Sequence, residues 1–170
     1  MSTTSLMTFA EFEQLPDAPG KRELIEGDLI ELPPPVLRHS QIAKRLYHLL
    51  LKRVSESQVW HETGYRIAGG WLQPDVSVAW PNQPQTKDYL ARGPMLAIEV
   101  LSPRNTPANI KRKLTLYLSE GGEEVWVVDG KRRIMTVYRK TEGQVVHVAA
   151  DSTYTCDLLG ITIELSKVFE

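Results

Sequence analysis

The sequence predicts an α+β domain in which a mixed sheet is flanked by two main helices, and three observations carry that reading. Two segments repeat their apolar residues at helical spacing. Many short apolar runs bounded by Gly, Pro, Asn or Asp have the length and alternation of strands. One of these, residues 95–101, is apolar throughout except for Glu99, the pattern of a central strand covered on both faces.

The elements follow in order. Thr8 and Glu11 form a capping box that opens a short helix through Leu15, which Pro16 and Pro19-Gly20 then end. Residues 22–32 alternate apolar and polar side chains around Glu26-Gly27, the signature of a tight hairpin, and Pro33-Pro34-Pro35 closes it. From His39, residues Ile42, Leu46, Leu49, Leu50 and Val54 recur at helical spacing over about four turns. Residues 59–62, 65–68 and 71–79 read as strands, the last after a Gly69-Gly70 turn. Residues 81–94 are polar and Pro-bearing, so a surface loop is expected there. After the central strand, Thr106 caps a helix with Pro107 at its first position, and Gly121-Gly122 ends it. Residues 124–129 form a second buried strand, 133–138 and 144–149 a hairpin, and 161–165 a short terminal strand.

Composition narrows the function classes. The chain of 170 residues, 42% hydrophobic and 24% charged, fits one domain spanning 1–170, with no repeat, low-complexity run or linker. A net charge of −1 supplies no global positive field, so any contact with nucleic acid must come from a local basic patch. The single cysteine, Cys156, cannot form an internal disulfide, which fits a reducing, cytoplasmic setting. No apolar run approaches the ~18 residues of a membrane span, and no basic start with an apolar core marks a signal peptide.

The chemistry rests on two carboxylates placed where strands are expected. Asp75 follows Pro74, and Glu99 sits among Leu96, Ala97, Ile98, Val100 and Leu101. A carboxylate in such a setting needs a cation or a metal ion, because unpaired burial is costly. Two of them on neighbouring strands make an oxygen-donor site suited to Mg²⁺. A lysine two residues after the glutamate would complete a phosphodiesterase-type site, but Leu101 stands there. The following helix offers a replacement, since its phase puts Lys113 between Leu116 and Tyr117 and leaves Lys111 and Arg112 on the solvent side. A structural Glu99–Lys113 ion pair without catalysis satisfies the same charges, and Glu23 also reads as a solvated hairpin carboxylate.

In order and spacing, these motifs resemble the bacterial family of restriction endonuclease-like proteins inside the PD-(D/E)XK nuclease superfamily. The resemblance runs from Phe9 to about Phe169 and rests on Arg22-Glu-Leu-Ile-Glu-Gly-Asp-Leu, His39, Gln73-Pro-Asp-Val-Ser, Ala97-Ile-Glu-Val-Leu-Ser-Pro103, Lys113-Leu-Thr-Leu-Tyr117 and Glu123-Glu-Val-Trp-Val-Val-Asp129. It implies a restriction endonuclease-like fold and metal-dependent cleavage of DNA with Mg²⁺ or Mn²⁺. It also implies Asp75 and Glu99 as metal ligands, with the Val100 carbonyl a further donor, and Lys113 as a lysine moved from strand to helix. Glu23 and His39 match the family's upstream glutamate and histidine. Two other readings stand beside the nuclease: a catalytically silent binding or regulatory module, and a hydrolase of small phosphoesters. A homodimer is expected if both strands of a duplex are cut.

Overall fold

The computed structural model describes residues 6–68, 70–141, 143 and 145–170. Helix α1 (Phe9–Glu13) is followed by β1 (Lys21–Ile25), β2 (Asp28–Leu32) and α2 (Leu37–Leu51). Strands β3 (Val59–His61), β4 (Tyr65–Ile67), β5 (Gly70–Leu72), β6 (Val76–Val78), β7 (Leu90–Ala91) and β8 (Leu96–Val100) lead to α3 (Pro107–Ser119). The chain closes with β9 (Glu124–Asp129), β10 (Ile134–Arg139), β11 (Val145–Ala149), β12 (Thr153–Cys156) and β13 (Ile161–Glu164).

A six-stranded sheet in the order β11-β10-β9-β8-β6-β3 forms the centre, with only β8 and β9 parallel. Helix α3 is the crossover between those two strands, as a parallel pair requires. A five-stranded sheet, β2-β1-β5-β4-β7, stands beside it, and β12-β13 form a separate hairpin. Strand parity divides the core. Leu96, Ile98 and Val100 pack with Ile42, Leu46 and Leu50 of α2, whereas Ala97 and Val125 pack with Leu116 and Tyr117 of α3.

Local chemistry explains the ends of the elements. Thr8 and Glu11 make the expected capping box, though α1 stops at Glu13, short of Leu15. The β1–β2 turn places Glu26 at φ 52° and Gly27 at φ 89°, the left-handed pair of a two-residue hairpin loop. Thr106 Oγ1 accepts from the Asn109 amide, with Pro107 opening α3. Gly70 lets β5 approach β1, since a Cβ there would meet the Leu24 carbonyl oxygen at 1.8 Å.

Four expectations change. Helix α2 begins at Leu37, so His39 lies inside its first turn, and it ends before Val54. The single strand expected over 71–79 is two, because Pro74 cannot donate to a ladder and the chain leaves one sheet for the other there. The loop over 81–94 contains β7, a two-residue strand paired in parallel with β4. The terminal strand has a partner, β12. The expected turn and strand positions at Gly69 and Gln144 fall outside the described residues.

Candidate active site

The break between β5 and β6 is where the two sheets meet, and it presents the first carboxylate. The Asp75 amide donates to the Ile98 carbonyl at 3.1 Å, and the register Val76↔Ile98 carried back one step sets Asp75 directly across from Glu99. Directly opposed residues of an antiparallel pair project to the same face. Both are 3% exposed. Asp75 Oδ2 accepts from the Val100 amide at 2.7 Å and lies 3.2 Å from His39 Nε2, while Oδ1 accepts from Lys21 Nζ at 3.0 Å.

Helix α3 supplies the next layer. Lys113 Nζ sits 2.6 Å from Glu99 Oε1 and 2.8 Å from Glu23 Oε1. Tyr117, one turn further along the same helix face, donates its hydroxyl to Glu99 Oε1 at 2.7 Å. Glu23, on β1, also accepts from the Gln73 amide at 3.0 Å and is fully buried, which removes the solvated hairpin reading. Glu23, His39, Asp75, Glu99 and Lys113 are therefore brought into one connected group. Lys111 is exposed, as expected. Arg112 is not free: it pairs with Glu26 at 3.0 Å and Asp28 at 2.9 Å across the β1–β2 turn.

Two participants escaped the sequence reading. Lys21 Nζ donates to the Gln73 carbonyl at 2.7 Å as well as to Asp75, and Tyr117 anchors Glu99. Parity could have found the first, because Lys21 and Glu23 are two apart on one strand and share a face. The electrostatics separate the two opposed carboxylates. Burial pushes Glu99 upward from the ordinary carboxylate range, against the pull of Lys113 and Lys21. Burial acts on Asp75 too, but there Lys21, the His39 hydrogen bond and Lys113 outweigh it and hold the group below its ordinary value. Burial likewise raises the Tyr117 hydroxyl, and the Glu99 charge adds to the effect.

A cavity of about 290 Å³ opens onto this group. Lys21, His39, Asp75, Glu99 and Val100 border it, between walls formed by Pro33-Pro34-Pro35 and by residues 102–105. Among the described residues, no three His, Cys, Asp or Glu side chains are grouped to hold a metal ion. The cavity does offer the two facing carboxylates of Asp75 and Glu99, hard oxygen donors, and Mg²⁺ takes one or two carboxylates with water filling the rest. That donor chemistry fits a hard divalent cation. Two lysine ammonium groups lie against these carboxylates, Lys21 on Asp75 and Lys113 on Glu99, and an incoming ion would compete with them.

Comparison with known proteins bears on the family and the fold. A family model, Uma2, described as "putative restriction endonuclease", matches residues 9–166. The crystal structure of "a putative nuclease belonging to DUF820" from Anabaena variabilis superposes with a TM-score of 0.84, covering 96% of this chain and 97% of that one, at 22% identity. That likeness is one of fold, and it bears out the α+β architecture expected from the sequence. No curated protein matches the chain.

Proposed function

The chain belongs to the Uma2 family, and from that premise we propose that it is a Mg²⁺- or Mn²⁺-dependent endonuclease hydrolysing phosphodiester bonds of DNA. The observation that carries this reading is the opposed pair Asp75 and Glu99, both bordering the cavity and backed by Lys113. Asp75, Glu99 and the Val100 carbonyl are the groups that would hold the ion. When bound, such an ion acidifies a water molecule and offsets charge on the phosphate oxygens.

The remaining work is positioning. The Val100 amide and His39 hold Asp75 Oδ2, so the carboxylate cannot rotate away. Lys113 joins Glu23 to Glu99, and Tyr117 fixes Glu99 from the helix side. Groups held in this way lose little further freedom when the substrate arrives, which lowers the entropic part of the barrier. The proline wall and residues 102–105 narrow the approach of bulk water. Cutting both strands of a duplex calls for two such centres, so the active form is a homodimer, checked by light scattering at micromolar concentration. The lone, buried Cys156 suits a reducing cytosol.

The test is cleavage of supercoiled and linear DNA with Mg²⁺ or Mn²⁺. Wild-type protein cuts, whereas Asp75→Ala and Glu99→Ala lose at least about a hundredfold in rate, since each removes a ligand. Equal, background-level activity in all three proteins sinks the proposal. One observation favours a second reading, a silent binding module: each of the site's three carboxylates, Glu23, Asp75 and Glu99, already has a lysine within 3.0 Å. Metal titration separates the two, because the silent module shows no heat that depends on Asp75 and Glu99.

A further inference from the structure

We propose that Lys21, not Lys113, is the lysine that meets the scissile phosphate, and that in the metal-free protein its ammonium holds the place of the divalent cation on Asp75. This rests on the nuclease reading above. The sequence pattern assigns the role to Lys113, but the cavity assigns it differently. Lys21 borders the cavity with Asp75 and Glu99, and Lys113 does not. The Lys21 side chain is 15% exposed against 3% for Lys113.

The partners of the two lysines point the same way. Lys113 is clamped between two carboxylate oxygens at 2.6 and 2.8 Å, so its charge is spent inside the protein. Lys21 has one close carboxylate, Asp75 at 3.0 Å, with Glu23 only at 4.0 Å. Its shortest contact, 2.7 Å, is to the neutral carbonyl of Gln73. A flexible four-carbon stem carries that ammonium, and a carbonyl contact is readily exchanged for a phosphate oxygen.

An ammonium and a divalent cation cannot both sit against Asp75 Oδ1, because like charges repel strongly where water is scarce. A bound ion would therefore leave Lys21 to turn toward the cavity it borders, where the substrate phosphate would lie. There it donates hydrogen bonds to a non-bridging oxygen and offsets the charge that builds on it. Without the ion, the same residue keeps Asp75 paired.

Calorimetric titration with Mn²⁺ in the absence of DNA reads the first half directly. Lys21→Met binds Mn²⁺ about tenfold tighter than wild type once the competing charge is gone, and Lys21→Arg, which keeps the charge, does not. Single-turnover cleavage at saturating Mn²⁺ reads the second half, with Lys21→Met slower by about a hundredfold. If the methionine variant unfolds, as judged by circular dichroism, Lys21→Gln takes its place. Unchanged Mn²⁺ affinity overturns the placeholder. Tighter binding with a wild-type rate overturns the phosphate contact. If wild-type protein cuts no DNA, the nuclease reading fails and takes the phosphate contact with it, while the titration still decides the placeholder.

Discussion

At the scale of single residues, Lys113 shows what a buried charge demands. It is the joint partner of Glu23 and Glu99, all three almost fully buried. Lys113→Met takes the close cation from two buried carboxylates, and we expect a loss of about 3–5 kcal/mol in urea unfolding. Adding Glu23→Gln removes one stranded charge and should recover part of that loss. Glu99 stood out in the sequence because apolar residues flank it on both sides, Asp75 because it follows Pro74 where a strand was expected, and Lys113 because helical phase set it between Leu116 and Tyr117. Lys21 was not. It stands beside Arg22 in a hairpin, where charges usually face water, and its partial burial comes with contacts to Gln73 and Asp75, both distant in sequence.

At the scale of elements, β12 brings its own chemistry. Its alternation buries Tyr154 and Cys156 against Glu124 of β9. Glu124 accepts from Trp126 Nε1 at 2.9 Å, from the Tyr154 hydroxyl at 3.1 Å and from Arg139 Nε at 3.2 Å. Burial first, and then the Glu124 charge, push the Cys156 thiol from 9.0 up to about 12. A thiol kept neutral in the fold but free to ionise when unfolded supports stability fully below pH 9, and that support is lost as pH rises toward 12. Cys156→Ala should therefore flatten part of the alkaline decline, read as the urea midpoint across that range. Elements with a helical period, α2 and α3, or with a nearly continuous apolar run, β8 and β9, could be read from the chain. The split at Pro74-Asp75 and the two-residue β7 could not, since each is decided by which sheet the segment joins rather than by local pattern.

At the scale of the molecule, two apolar clusters share β8 and β9, whose alternate residues face opposite ways. We propose that the chain unfolds as one unit. Circular dichroism and tryptophan fluorescence should then give coincident transitions, since Trp126 lies in one cluster and Trp60 packs on the other. With a net charge of −1, affinity for DNA must be local. The concave patch of Arg38, Arg45, Lys131 and Arg133 offers one source. Reversing Lys131 and Arg133 to Glu should weaken DNA binding and lower its salt slope by about 2, with Mn²⁺ affinity unchanged, measured by fluorescence anisotropy over a salt series. Among the described residues no helix is long and apolar enough to cross a membrane.

Glu23 hangs from the five-stranded sheet, while Glu99 belongs to the six-stranded one, and Lys113 is ion-paired with both. The lysine thus acts as a rivet across the seam. Any native-state fluctuation that parts the smaller sheet from the larger one should pull the rivet and disperse the site without global unfolding. Amide exchange along β1 becomes a gauge of how often the site is assembled. Substitutions in the smaller sheet that quicken exchange at Glu23 and Leu24 should slow turnover in proportion, although they replace no atom that touches the substrate.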